Sequence, residues 1–186
     1  MLYLSTKITN LPLLSIRSSG RIGTVLKPII NPHNLHIDGF FCQSVHSKNE
    51  LVLLDIYIRE FAPNGIIIDD HKNLSDPTDL VRLEPVIKLN FSLENKTVFS
   101  GKKKIGKVID FAIDKDSLFV QKLYVQPPVW QSLNQNRLTI DRSSIIEVTD
   151  TKIVVSGPEE KASDKAKATS RGFAASYSAN TSFINE

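Results

Sequence analysis

Residues 102–126, KKKIGKVIDFAIDKDSLFVQKLYVQ, have a counterpart 83 residues earlier in residues 19–43, SGRIGTVLKPIINPHNLHIDGFFCQ. The two stretches run 25 residues without a gap, and Ile-Gly-x-Val, a Leu and the closing Gln fall at the same places. Each reads as a strand, a turn and a second strand. In the later copy Val108 to Ile113 is apolar and rich in β-formers, DKDS (114–117) is a turn cluster, and residues 118–125 resume the strand pattern; in the earlier copy the turn is NPHN (31–34). Both copies are therefore expected to be β-hairpins. Gly23 and Gly106 stand one residue inside the first strand, where glycine marks a bulge, a bend or a closely passing backbone. A small barrel needs such corners.

The correspondence resumes downstream with the offset grown to 87. LVLLDIYIREFAPNGIIID (51–69) lies over LTIDRSSIIEVTDTKIVVS (138–156), matching Leu51 to Leu138, Ile58 to Ile145, Glu60 to Glu147 and Ile66 to Ile153. The four extra residues of the second copy fall in or near PPVWQSLNQN (127–136). Upstream, ITNLPLLS (8–15) aligns with LENKTVFS (93–100) if two residues are dropped before the Ile-Gly. Short strands at this spacing, with almost no helical period, predict an all-β protein: two tandem small antiparallel β-barrels with short helical turns. The first unit covers residues 4–86 and the second 88–157. Between them Asp76 is a helix N-cap with Pro77 at the first helical position, and Pro85 is expected to end that helix. The linker is too short to let the units separate.

With 186 residues, 41% hydrophobic and 23% charged, the composition is that of a globular protein. The net charge of +3 is unevenly spread. Residues 1–87 hold 8 Lys+Arg and 9 Asp+Glu, whereas residues 88–157 hold 11 and 7. Cys42 is the only cysteine, so no intrachain disulfide forms, and its apolar surroundings suit a buried thiol rather than a nucleophile. No apolar run approaches the length of a membrane span, and the opening MLYLSTKITN does not read as a signal peptide, so a cytoplasmic location is expected. Residues 158–186 are rich in Ala, Ser and charge without a sustained period, and are expected to be a disordered tail carrying Phe173, Tyr177 and Phe183.

The lead strands LPLLS and KTVFS, then Ile-Gly-x-Val opening a hairpin, then a short strand feeding DIYIREF or DRSSIIEV, then GIIID or KIVVS, together resemble the PRC-barrel domain in two tandem copies. The resemblance covers residues 4–157. It implies small antiparallel barrels similar to the cytoplasmic domain of the photosynthetic reaction centre H subunit and to the C-terminal domain of a ribosome maturation factor. Both assemble or stabilise larger complexes without chemistry of their own. The family brings no catalytic set, so none is carried over.

No phosphate loop, nucleophile elbow or dinucleotide fingerprint occurs, and no cofactor or small-molecule substrate is expected. His33, His36, His46 and His71 all lie in the first unit without an accompanying ligand framework, and solvent-facing loop histidines are the plainer reading. Asp69, Asp70 and His71 at a strand end have the chemistry for a cation or acid–base pair, against the plainer reading of a solvated turn. Two binding candidates remain. Lys102, Lys103, Lys104 and Lys107 form a basic cluster where the first unit has Ser19, Gly20, Arg21 and Thr24, suited to the phosphates of RNA or of anionic lipid; the alternative is a solvated turn guarding a strand edge. Trp130 is either an exposed protein-binding anchor or a plug that seals the barrel. These residues point to a non-catalytic adaptor that binds a protein or ribonucleoprotein assembly, or else to a peripheral membrane or cell-envelope scaffold.

Overall fold

The computed structural model describes residues 1–45, 47, 49–128 and 137–157, and Met1–Val155 form one compact unit. The tail and Trp130 lie outside the described residues. The elements are β1 (Leu2–Leu4), α1 (Ser5–Ile8), β2 (Pro12–Ser15), β3 (Gly20–Ile30), β4 (Ile37–Ser44), β5 (Glu50–Leu54), β6 (Ile58–Ala62), β7 (Gly65–Ile68), β8 (Leu74–Ser75), α2 (Glu84–Leu89), β9 (Thr97–Ser100), β10 (Lys103–Asp114), β11 (Val120–Gln126), β12 (Leu138–Asp141), β13 (Ile145–Val148) and β14 (Lys152–Val155). Strands dominate, and the two α-helices are short, so the fold is all-β.

The two halves have the same strand order. The first sheet runs β6-β7-β2-β3-β4-β5 and the second β13-β14-β9-β10-β11-β12. In each, the lead strand pairs parallel with the last one, Leu13 opposite Ile66 and Val98 opposite Ile153. Among the described residues neither sheet closes on itself through backbone ladders, so each is an open sheet. Two additions break the likeness. β8 extends the first sheet beyond β5, and β1 crosses over to pair with β10 of the second.

The repeated glycines sit where the sequence placed a corner. β3 slips past β2 between Gly23 and Arg21, and β10 slips past β9 between Gly106 and Lys104, making Ile22 and Ile105 the bulged residues. A Cβ on Gly23 would stand 2.7 Å from the Gln43 carbonyl oxygen, and one on Gly106 would stand 2.3 Å from that of Gln126. Both contacts are closer than real atoms approach, so only glycine lets the neighbouring strand pass.

One apolar core joins the halves. Val25, Ile66, Val108 and Ile153 are fully buried in it, Ile22 nearly so, and Ile105 packs against it half-buried. The halves meet around a pseudo-two-fold axis. Ile37 N–H donates to the Leu118 carbonyl at 2.8 Å and Val120 N–H to the Leu35 carbonyl at 3.0 Å, a reciprocal pair between equivalent residues. On the axis His36 faces its own counterpart, Phe119, edge to ring at 4.7 Å.

The linker corrects one expectation. Asp76 does cap a turn, its carboxylate accepting the Thr78 N–H at 2.9 Å, but that turn is a single 3-10 turn over Pro77–Asp79. Pro85 stands in the first turn of α2 and starts a helix rather than ending one, because a proline there forfeits no helical hydrogen bond. α2 therefore spans the expected domain boundary.

Candidate anion-binding face

Sheet register decides which side chains share a face. Across the second sheet Lys152 pairs with Thr97, Thr97 with Lys107, and Lys107 with Gln126; one step on, Leu138 pairs with Val125, which sets Arg137 beside Gln126. The residues flanking this row, Val98, Val108, Val125 and Ile153, are fully buried. Side chains alternate along strands, so the row itself points away from the core. It presents Lys152, Lys107 and Arg137 to solvent. Two residues further along β9, Phe99 shares the same face and pairs with Lys104, while Lys103 pairs with Ser100 and Lys102 occupies the turn before β10.

The cations of residues 88–157 sort by environment. Lys96 is buried, its ammonium over the Phe91 ring at 4.4 Å and donating to the Asp150 carbonyl, and burial holds its pKa below the ordinary lysine value. Lys122 is paired with Asp141 at 2.6 Å, Lys115 with Asp116 at 3.1 Å and Lys88 with Glu84 at 2.6 Å. Arg142 stacks on Phe119 at 4.1 Å and donates to the Asn34 carbonyl at 2.8 Å, at the junction of the halves. What remains is Lys102, Lys103, Lys104, Lys107 and Arg137, exposed and without an ion pair among the described residues, together with Lys152, whose Glu147 contact stretches to 3.9 Å. The cations that have no structural duty are those gathered at one end of one sheet.

The sequence singled out Lys102, Lys103, Lys104 and Lys107 but missed Arg137 and Lys152. The repeat alignment held the signal. At the offset of 87 these two stand where the first half has Glu50 and Gly65.

The other candidates resolve into structural roles. Asp70 caps the 3-10 turn at His71–Asn73, is 2.6 Å from the His71 ring and 3.0 Å from Arg17, and the turn is a full capping box with Asn73. Asp69 accepts Arg59 through both guanidinium Nε and Nη2, at 2.9 and 2.6 Å, and the Arg59 hydrogen bond holds its carboxyl below the usual range. These groups neutralise one another and anchor the end of β7. His36 is hydrogen-bonded to Asp38 at 2.8 Å, and His33 N–H is held by the Asn31 side chain at 3.1 Å, so they serve the turn and the junction. His46 is outside the described residues. Among the described residues no three His, Cys, Asp or Glu side chains gather as a metal centre. Cys42 is fully buried, and burial pushes its thiol up to about 12.

A cavity of about 330 Å³ lies between α1, β3 and residues 86–94. Two of its polar side chains are already engaged: Ser5 Oγ donates to Asp110 at 2.6 Å and Lys27 Nζ to Asn90 at 2.8 Å. Those two hydrogen bonds occupy equivalent places in the two halves. No helix among the described residues is long and apolar enough to cross a membrane. No protein-family model matches the chain, and no curated protein matches it.

Proposed function

We propose that this protein is a non-catalytic adaptor of PRC-barrel type, two barrel-like units in tandem, that engages the RNA of a ribonucleoprotein assembly through the outer face of its second half. The observation that carries the reading is the set of six exposed cations, Lys102, Lys103, Lys104, Lys107, Arg137 and Lys152, five of them without an ion pair among the described residues and the sixth, Lys152, held only at 3.9 Å from Glu147. Lysines on an open sheet attract phosphate through charge and counterion release, without geometric demands on the partner. Phe99 and Tyr124, half-exposed on that face, add rings on which an unpaired base can stack.

Ribosome co-sedimentation set against flotation with anionic liposomes tests the proposal. Salt-sensitive co-sedimentation of the full chain, lost when the four clustered lysines become serine, is the expected result. Flotation with anionic liposomes and no co-sedimentation would overturn it in favour of a membrane-surface scaffold.

A further inference from the structure

The first half shows what covers this type of sheet. β8 adds to the free edge of β5, Val52 opposite Ser75 and Leu53 opposite Leu74. The chain then turns at Asp76 and crosses the outer face, where Leu80, Leu83, Val86 and Ile87 pack on Ile29, Phe41 and Val52. Those three residues end up almost entirely buried.

The second half repeats the backbone without the cover. β12 is equivalent to β5, and among the described residues no strand pairs with its outer edge at Thr139 and Ile140. Phe41 becomes Tyr124, which is half-buried, Val52 becomes Thr139, which is exposed, and Leu26 becomes Ile109, also exposed. The hydroxyls of Tyr124 and Thr139 keep the size of the side chains they replace and let the face be wet when empty. The sequence that follows β14 lacks the side chains that make the cover of the first half. At an offset of 88, Ser75-Asp76 matches Ser163-Asp164, but Leu74, Leu80, Leu83, Val86 and Ile87 are replaced by Ala162, Ala168, Arg171, Ala174 and Ala175. The turn signal is kept, and none of the five large aliphatic side chains is.

We infer that the β12 edge and the strip Ile109–Tyr124–Thr139 take an extended segment of a partner protein, bound as an added strand in the manner of β8. The partner segment has two residues of strand, an acidic turn and spaced aliphatic side chains, and it carries net negative charge to suit Arg137 and Lys107 beside the strip. Backbone pairing at the edge provides affinity and the strip selects the side chains.

The test places a benzophenone amino acid at Thr139 in the full chain and adds a synthetic peptide of residues 73–87, NLSDPTDLVRLEPVI, the natural cover of the first half, whose three acids outnumber its one arginine. Illumination is expected to give a one-to-one peptide adduct. Ile109→Lys or Tyr124→Lys should lower the peptide's affinity at least tenfold while leaving the thermal transition in place, since both side chains are partly exposed. A cross-link within the chain to residues 158–186, a cross-linked dimer, or an adduct whose yield is indifferent to both substitutions would each overturn the inference. Replacing Lys102, Lys103 and Lys104 by serine, which leaves Lys107 and Arg137 beside the strip, lowers RNA binding but not the adduct, so this result and the RNA reading fail separately.

Discussion

The row Gly65, Pro12, Thr24, Gln43, Glu50 on the first sheet and the row Lys152, Thr97, Lys107, Gln126, Arg137 on the second occupy the same backbone positions. One ends in a carboxylate and holds no cation; the other holds three cations and no acid. The face beside the first row is roofed by residues 74–87, and the face beside the second is open among the described residues. Duplication has therefore kept the frame and divided the work. The first copy spends its outer surface on packing its own linker, and the second keeps its outer surface for something else. The difference teaches that the shared residues, the buried valines and the corner glycines, answer for the fold, while the positions that diverge on one outer face are those on which the proposed RNA contact rests.

The frame is tested hardest at its corners. Gly106→Ala forces a Cβ to 2.3 Å from a backbone oxygen, and Gly23→Ala forces one to 2.7 Å. A backbone atom cannot swing aside as a side-chain tip can, so both substitutions open a strand pair. Gly106→Ala is expected to cost about 3 kcal/mol or more, lowering Tm by about 10 °C in a chain of this size, and Gly23→Ala somewhat less. Thermal melts of the two variants check this. Equal tolerance of alanine at both sites would mean that the corners are not tight and that their equivalence is superficial.

The divided work is tested next. Serine at Lys102, Lys103, Lys104 and Lys107 is expected to reduce the dependence of log affinity for RNA on log salt by about 3, at roughly 0.7 to 0.9 per phosphate contact. The fold should be unaffected, because exposed charges add little to stability. A sharper form exchanges the rows: Thr24→Lys and Glu50→Arg in the first half should not create comparable binding, since residues 74–87 still roof the adjacent face. Salt titrations of both variants decide it, and an unchanged slope in the serine variant would sink the division of labour.

Much of this frame was legible in the sequence. The ungapped repeat fixed both hairpins, the corner glycines and the equivalent core positions, because buried β-branched residues and tight backbone approaches tolerate few replacements. The two-residue shift before the Ile-Gly was legible too: Asn10 and Asn95 both adopt a left-handed backbone, and Leu13 and Val98 face Gly23 and Gly106. The linker was not legible, since Pro85 ends or begins a helix according to which side of it the chain packs, and only the apolar contacts of Leu83, Val86 and Ile87 decide that. Arg137 and Lys152 were missed because strand partners far apart in sequence make one row only once the register is known. β1 escaped notice because three residues carry no period.

The turns offer a smaller comparison. Asn31 and Asp114 hold equivalent places, each side chain accepting the N–H two residues on, from His33 at 3.1 Å and from Asp116 at 3.2 Å. The Ser117 N–H, with further donors, pulls Asp114 from 3.8 to about 2, while Asn31 does not titrate. Its folded pKa lies below its unfolded one, so its contribution is present above about pH 4 and fades as pH falls through about 2. Asp114→Asn should make the second turn like the first. Tm should change by a few degrees at pH 7, and its fall between pH 5 and pH 2 should be shallower than in the parent, as a pH series of melts would show. An identical pH profile would mean that Asp114 is not the group that acid releases.

The smallest effect is expected at the centre of the frame. Cys42 and Val125 stand at equivalent positions, each fully buried and each paired with the valine that follows the corner glycine, Val25 and Val108. The Cys42 thiol donates a long hydrogen bond to the Phe40 carbonyl at 3.4 Å, so little is lost when it goes. Cys42→Val rewrites the first half in the vocabulary of the second, and near-isosteric apolar exchange in a core costs under about 1.5 kcal/mol. Tm should therefore move by no more than about 5 °C. The same burial has a chemical consequence. With the thiol pushed up to about 12 and shielded by the sheet, the native parent should resist a thiol reagent at pH 8 and react at once in denaturant. Rapid modification of the native protein would show that the first sheet opens where the second does not, and the likeness of the two cores would then hold in backbone but not in stability.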